Sequence, residues 1–187
     1  LLPLNDKERM GERLVEELSA ESLSTQEITA AVEASYIELE HYKKDVRSYG
    51  MRILRRIEHD HSPAILLVGR PYHIDPEINH GIPEMIQSYG LPILSEDAVY
   101  HMPVQAKGLQ IVNQWRYLAR LYNAEQFAAE HDNITLIQFS SFGCGLDAIT
   151  TGQVKSILEA HNRIYTMIKL DEVSNLGAAR IRLRSLI

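Results

Sequence analysis

The chain has 187 residues, with 19 lysines and arginines against 25 aspartates and glutamates, a formal charge of −6, and 45% hydrophobic residues. This is the balance of a globular chain able to bury a core, and its acidic field argues against nucleic acid or an anionic membrane as a general partner. Its longest apolar run, Ala64-Ile65-Leu66-Leu67-Val68, falls well short of the roughly 18 residues of a membrane helix, and a single cysteine, Cys144, excludes an internal disulfide framework.

The chain opens on Leu1 without a basic segment followed by an apolar one, and it stops at Ile187 inside a helical pattern. A cytoplasmic segment of a longer protein is therefore expected. Residues 1–62 carry helical signals and no strand signal, and are expected to form a helical arm. Asn5-x-x-Glu8 and Ser24-x-x-Glu27 have capping-box spacing. After Ser24, the residues Ile28, Val32, Tyr36, Leu39, Tyr42, Val46, Tyr49, Ile53 and Ile57 recur every three or four positions. That period predicts one helix from Thr25 to about Asp60, roughly 54 Å long at 1.5 Å per residue. Its other face holds Lys43, Lys44, Arg47, Arg52, Arg55 and Arg56, either a solvated face or a phosphate-binding one.

The pattern changes at Ser62-Pro63, and residues 63–187 are expected to form an α/β domain. Strands are predicted at 64–69, 91–94, 133–139 and 163–170. Helices are predicted at about 82–89, around Trp115-Leu118-Ala119-Tyr122, at 148–160 and from about Leu176. Short apolar strands alternating with helices imply βαβ crossovers and a four-stranded, parallel, Rossmann-like sheet with flanking helices. Ligands of such sheets lie beyond the carboxyl ends of the strands, so chemistry is expected in residues 69–81, 95–108, 140–147 and 171–177.

The first of these loops reads Gly69-Arg70-Pro71-Tyr72-His73-Ile74-Asp75-Pro76-Glu77-Ile78-Asn79-His80-Gly81-Ile82-Pro83. Gly69 admits a ligand to the backbone, and Arg70 is suited to a carboxylate or phosphate. His73, Asp75 and His80 have the donor types of a metal site but no diagnostic spacing, and Asp75 and Asn79 equally suit turn formation. The second loop begins Ser95-Glu96-Asp97, two carboxylates suited either to acid–base work or to capping a helix. The third reads Ser140-Ser141-Phe142-Gly143-Cys144-Gly145-Leu146-Asp147. Here a cysteine between two glycines sits after a strand and before a helix, where the thiolate is favoured. Cys144 is thus a metal or cluster ligand, a nucleophile, or a small buried hydrophobe.

Gly143-x-Gly145-x-x-Ala148 also meets a relaxed dinucleotide fingerprint, with Asp171 or Glu172 as ribose partner, although Asp147 would repel a pyrophosphate. In the last loop and helix, Asp171-Glu172-Val173-Ser174-Asn175-Leu176-Gly177-Ala178-Ala179-Arg180-Ile181-Arg182-Leu183-Arg184, Arg180 and Arg184 share a helix face, either for an anion or for solvent. There is no Gly-x-Ser-x-Gly elbow, P-loop, His-Glu-x-x-His or Cys-x-x-Cys.

Taken in order, the motifs at 69–83, 94–97, 140–147 and 170–185 resemble the large activators of 2-hydroxyglutaryl-CoA dehydratase and related acyl-CoA dehydratase activase proteins. The resemblance implies a multidomain parent with ATP-binding activator domains, in which this segment is similar to the cluster-bearing dehydratase subunits. It further implies a [4Fe–4S] cluster in the parent, with Cys144 as one metal ligand, and possible acyl-CoA binding. The cofactor-facing residues under this resemblance are Gly143, Cys144, Gly145, Arg70, His73, Asp75, Glu96, Asp97, Asp171 and Arg180. The alternatives are a non-catalytic scaffold of the same fold, or a nucleotide- or CoA-binding module built on residues 143–148.

Overall fold

A computed structural model of the chain describes residues 5–109, 116–141, 145–170 and 176–186. It divides into two compact units, residues 1–46 and 47–187, with one long helix running through both.

In the first unit, helix α1 (Lys7–Glu17) starts at Asp6, whose carboxylate accepts the Arg9 N–H at 3.0 Å. The cap expected at Asn5 therefore falls one residue later, at the position three before a free helical N–H. Helix α2 (Thr25–Asp60) has the predicted bounds. Its capping box is complete, since Ser24 Oγ accepts the Glu27 N–H at 3.2 Å and Glu27 Oε2 accepts the Ser24 N–H at 2.8 Å. Met10, Ile28 and Val32 form the buried seam of this unit, and Lys7 pairs with Glu33 at 2.5 Å.

The second unit is built on a four-stranded sheet of β1 (Ala64–Val68), β2 (Ile93–Ser95), β3 (Ile134–Ser140) and β4 (Thr166–Lys169), all parallel and in the order β2-β1-β3-β4. The α/β architecture expected from the sequence is the one observed. Strand β1 is buried along its whole length, as its unbroken apolar run requires of a central parallel strand. Strands β2 and β4 are shorter than the predicted 91–94 and 163–170. Both are edge strands with a partner on one side only, so their flanking residues leave the ladder.

Alternation of side chains divides the core. Ile65, Leu67, Ile137, Phe139 and Ile168 face helices α4 (Ile82–Ser88) and α8 (Gly177–Leu186), with Ile82, Ile86, Ala179 and Leu183 against them. The opposite face is covered by α6 (Arg116–Ala129) and α7 (Gly145–Ala160), which contribute Leu121, Tyr122, Phe127, Val154 and Leu158 to the buried interior. The last turns of α2 add Leu54 and Ile57 to the core. Two short elements were not predicted after β1, a 3-10 turn at Pro71–Ile74 and helix α3 (Pro76–Asn79). Each begins on proline, whose fixed φ suits a first helical turn. Helix α5 (Glu96–Val99) follows β2 directly. Because β2 and β3 lie on opposite sides of β1, the loops leaving β1 and β3 part at their carboxyl ends, which opens a crevice at the reversal of strand order. Among the described residues, no helix is long and apolar enough to cross a membrane.

Candidate functional site

The crevice is built from the loop after β1. Gly69 ends the strand with no room for a side chain, because a Cβ there would lie 2.4 Å from His73 Nδ1 and 3.1 Å from the Phe139 carbonyl oxygen. The turn at Pro71–Ile74 folds His73 back so that Nδ1 accepts the Arg70 backbone N–H at 2.9 Å. An Nδ1 that accepts leaves the ring proton on Nε2, which donates to Ser141 Oγ at 2.9 Å. His73 is buried, and burial holds its pKa down to about 4, helped by Arg70 and opposed by Asp147. It is therefore a neutral imidazole of fixed tautomer.

The Arg70 side chain reaches in the same direction. Its Nε and Nη2 both approach Asp147 Oδ1, at 3.1 and 2.5 Å. The first loop thus holds Ser141 through His73 and Asp147 through Arg70. These two residues flank positions 142–144 on either side.

On the β2 side, α5 presents Glu96 and Asp97. Glu96 is 5% exposed, and its Oε2 accepts the Gly69 N–H at 3.4 Å. Burial pushes its pKa up to about 7, opposed by Arg120 and the Gly69 N–H and reinforced by Asp97. Asp97 is the main partner of Arg120. The Arg120 guanidinium stacks 4.2 Å from the Tyr100 ring centre, and Arg47 donates to the Tyr100 hydroxyl at 3.0 Å. Leu67, Val68, Ile74, Pro83, Ile93 and Phe139 complete an apolar-walled cavity of about 180 Å³ reached by Arg70, His73, Ser95, Glu96 and Asp97.

Of the residues expected to face a cofactor, Arg70, His73, Glu96 and Asp97 come together here. Asp75 does not: it is exposed and caps α3, accepting the Glu77 N–H at 2.9 Å, which is its turn-forming alternative. Gly145 begins α7 on the surface, and Arg180 is exposed on α8. Gly143, Cys144 and Asp171 lie outside the described residues.

Helix α6 supplies residues that the sequence reading passed over. Tyr117 is raised above its ordinary pKa by burial and by the charges of Glu96 and Asp147, with Arg70 opposing. Glu125 is fully buried, both its oxygens lack a hydrogen-bond partner among the described residues, and burial lifts its pKa well above the carboxylate range, with Glu96 adding to the shift. The signal was present, for Leu118, Leu121, Tyr122 and Glu125 share one helical stripe, and a carboxylate on an apolar stripe marks a buried acid.

Residues 1–99, more than half of the chain, match the family described as CoA enzyme activase uncharacterised domain (DUF2229). That match takes in Arg70, His73, Glu96 and Asp97 and ends before the segment carrying Cys144. No curated protein and no solved structure matches the chain.

Proposed function

The chain belongs to this CoA enzyme activase family, and from that premise we propose that it is a component domain of a 2-hydroxyacyl-CoA dehydratase/activase-type protein. In this reading the crevice beyond β1, β2 and β3 contributes to an iron–sulfur electron-transfer or acyl-CoA site completed by other domains, with ATP-binding activator domains among its partners. One observation carries it: the two described residues that flank the cysteine segment, Ser141 and Asp147, are tied to the first loop by His73 at 2.9 Å and by Arg70 at 3.1 Å.

The chain does not by itself fit a cluster. A [4Fe–4S] centre takes several thiolates, and Cys144 is the single cysteine. Among the described residues no three histidines, cysteines or carboxylates converge as metal ligands, and both His73 nitrogens are already hydrogen-bonded. The share proposed for this chain is therefore Cys144 alone, with the other ligands supplied from outside this sequence. Its remaining residues act as a frame. Neutral His73 and paired Arg70 hold the two flanks of the cysteine segment. Glu96, held at about 7, can give or take a proton near neutral pH.

The test is iron content and electron paramagnetic resonance of the full-length protein after anaerobic reconstitution, wild type beside Cys144→Ser. A reducible cluster signal lost in the variant supports the reading. A signal indifferent to the substitution places any cluster elsewhere. Absence of iron in both favours a scaffold that keeps the fold and not the redox chemistry.

A further inference from the structure

On the β2 side of the crevice, a buried donor and a buried acceptor sit side by side and each lacks a partner. They are Arg120 Nε and Glu96 Oε1, neither of which has a hydrogen-bond partner among the described residues. Arg120 Nη2 stands 3.6 Å from that Oε1, beyond hydrogen-bonding distance, because it bonds Asp97 Oδ1 while the guanidinium rests on the Tyr100 ring. A buried, ionised carboxylate left this short of donors would be very costly. The arrangement is therefore that of a neutral Glu96, with one guanidinium set between two carboxyl groups and bonded to the charged one.

We propose that Arg120 is a two-position switch: it bonds Asp97 while Glu96 is neutral, and when Glu96 releases its proton to solvent it turns its Nε–H and Nη2–H onto Glu96 and loosens its hold on Asp97. The proposal rests on the crevice being the working face described above, and it adds how the charge at that face is set. In the first position the charges of Asp97 and Arg120 cancel. In the second, Arg120 is drawn inward to a buried carboxylate, and Asp97, 24% exposed and lining the cavity, stands as an open anion. The move is short, since Nη2 has less than about 1 Å to travel to bond Oε1. Nε and Nη2 form one edge of a planar fork, the edge that suits a carboxylate, and Nε is unspent. Tyr100 is anchored by Arg47, which donates to its hydroxyl at 3.0 Å, so the ring gives the guanidinium a fixed surface to turn on.

Glu96 is faced from α6 by Tyr117 and Glu125, both lifted by burial. On the first loop, Arg70 is held by Asp147, and burial keeps His73 down at about 4. Next to Tyr100, His101 is lowered by burial and by Arg47. The imidazoles are therefore neutral where Glu96, held up at about 7 by burial, gives up its proton. Glu96 and Glu125 are the two acids to be told apart.

The Cδ of Glu96 and the Nε–H of Arg120 would be followed by NMR in the isotope-labelled protein from about pH 5.5 to about pH 8.5, across the Glu96 transition. Both signals are expected to move with one midpoint, the Nε–H downfield as it gains an acceptor. The Arg120 shift should vanish in Glu96→Gln and survive in Glu125→Gln. In Asp97→Asn, which removes the competing carboxylate, Glu96 should ionise at a proton concentration at least about tenfold higher. A double-mutant cycle of Arg120→Leu with Asp97→Asn, read by urea unfolding, should give a coupling at the alkaline end no more than about half that at the acid end. An Arg120 signal that stays still while Glu96 titrates, a Glu96 that does not titrate in this range, or a shift that survives Glu96→Gln would each overturn the proposal. So would loss of the shift in Glu125→Gln, an unchanged midpoint in Asp97→Asn, or a coupling equal at both ends. These readouts require neither iron nor Cys144, so failure here leaves the reconstitution result standing, and failure there leaves this switch standing.

Discussion

Arg70 and Asp147, 77 positions apart in sequence, meet through two guanidinium nitrogens on one carboxylate oxygen, Nε at 3.1 Å and Nη2 at 2.5 Å. This contact crosses the point where strand order reverses, from the end of β1 to the first turn of α7. The side chains are 25% and 15% exposed, so the pair is only partly shielded from water. Asp147 Oδ2 is buried and lacks a hydrogen-bond partner among the described residues.

Breaking this pair from one side leaves the other charge half-desolvated. Asp147→Ala is expected to cost about 2 kcal/mol in urea unfolding, below the range for fully buried pairs because water still reaches Arg70. Arg70→Lys should recover little of the loss from Arg70→Ala, since an ammonium cannot place two nitrogens on Oδ1 in this geometry. A Lys variant as stable as wild type would show that charge alone holds the loops together.

Gly69 is fixed by space and not by backbone conformation. A Cβ there would meet the ring of His73 at 2.4 Å and the carbonyl oxygen of Phe139 at 3.1 Å. His73 cannot swing aside without giving up its bonds to Arg70 and Ser141. Gly69→Ala should therefore destabilise by about 1–3 kcal/mol, as overpacking does. Gly152, on the exposed face of α7 with nothing within 4 Å of a Cβ, provides the opposite case. Gly152→Ala should stabilise by up to about 1 kcal/mol through helix propensity. Thermal denaturation of the two variants side by side checks both signs.

Much of the fold was legible because one physical signal dominates each element. The unbroken run at 64–68, bounded by Pro63 and Gly69, read as a buried strand and is one, and the three-to-four spacing after Ser24 gave α2 its bounds. The crevice was legible because strand ends follow from strand positions, so Arg70, His73, Glu96 and Asp97 fell where chemistry was expected. Their pairing was not. Asp147 read as a charge opposing a pyrophosphate, while its partner lies 77 residues upstream. Asp97 read as an acid–base group or a cap, while its partner Arg120 is on α6. Long-range ion pairs leave no periodic trace in a sequence, and that is why Arg120 was overlooked.

Glu125 tests how far the interior tolerates an unpaired acid. It is fully buried with both oxygens lacking a partner among the described residues, and its pKa is raised well above the usual carboxylate range by burial. Replacing it by an apolar side chain of similar length removes the unmet groups, so Glu125→Met should stabilise by about 1–3 kcal/mol in urea unfolding near neutral pH. A folded pKa above the unfolded value means that wild-type stability is lost as pH rises from the unfolded value of 4.5 toward the folded one. The advantage of the variant should therefore grow with pH. A large loss of stability in Glu125→Met would instead show that the carboxyl has an interior partner.

Glu96 and His73 should impose opposite pH dependences on the same crevice. Glu96 titrates at 4.5 in the unfolded chain and at about 7 in the folded one. Between those values the folded protein holds more protons, so the stability due to Glu96 falls as pH rises through the window. His73 titrates at 6.5 unfolded and at about 4 folded. There the unfolded chain holds more protons, and stability falls as pH drops from 6.5 toward 4. From 4.5 to 6.5 the two slopes oppose each other. Glu96→Gln removes the first, so the stability of the variant relative to wild type should climb by about 3 kcal/mol between pH 4.5 and pH 7. His73→Asn should show the reverse trend, gaining on wild type as pH falls below 6.5. Urea unfolding at half-unit pH steps resolves both slopes. Curves that run parallel for wild type and Glu96→Gln would show that Glu96 is ionised across the range, and with it the crevice would lose its neutral acid.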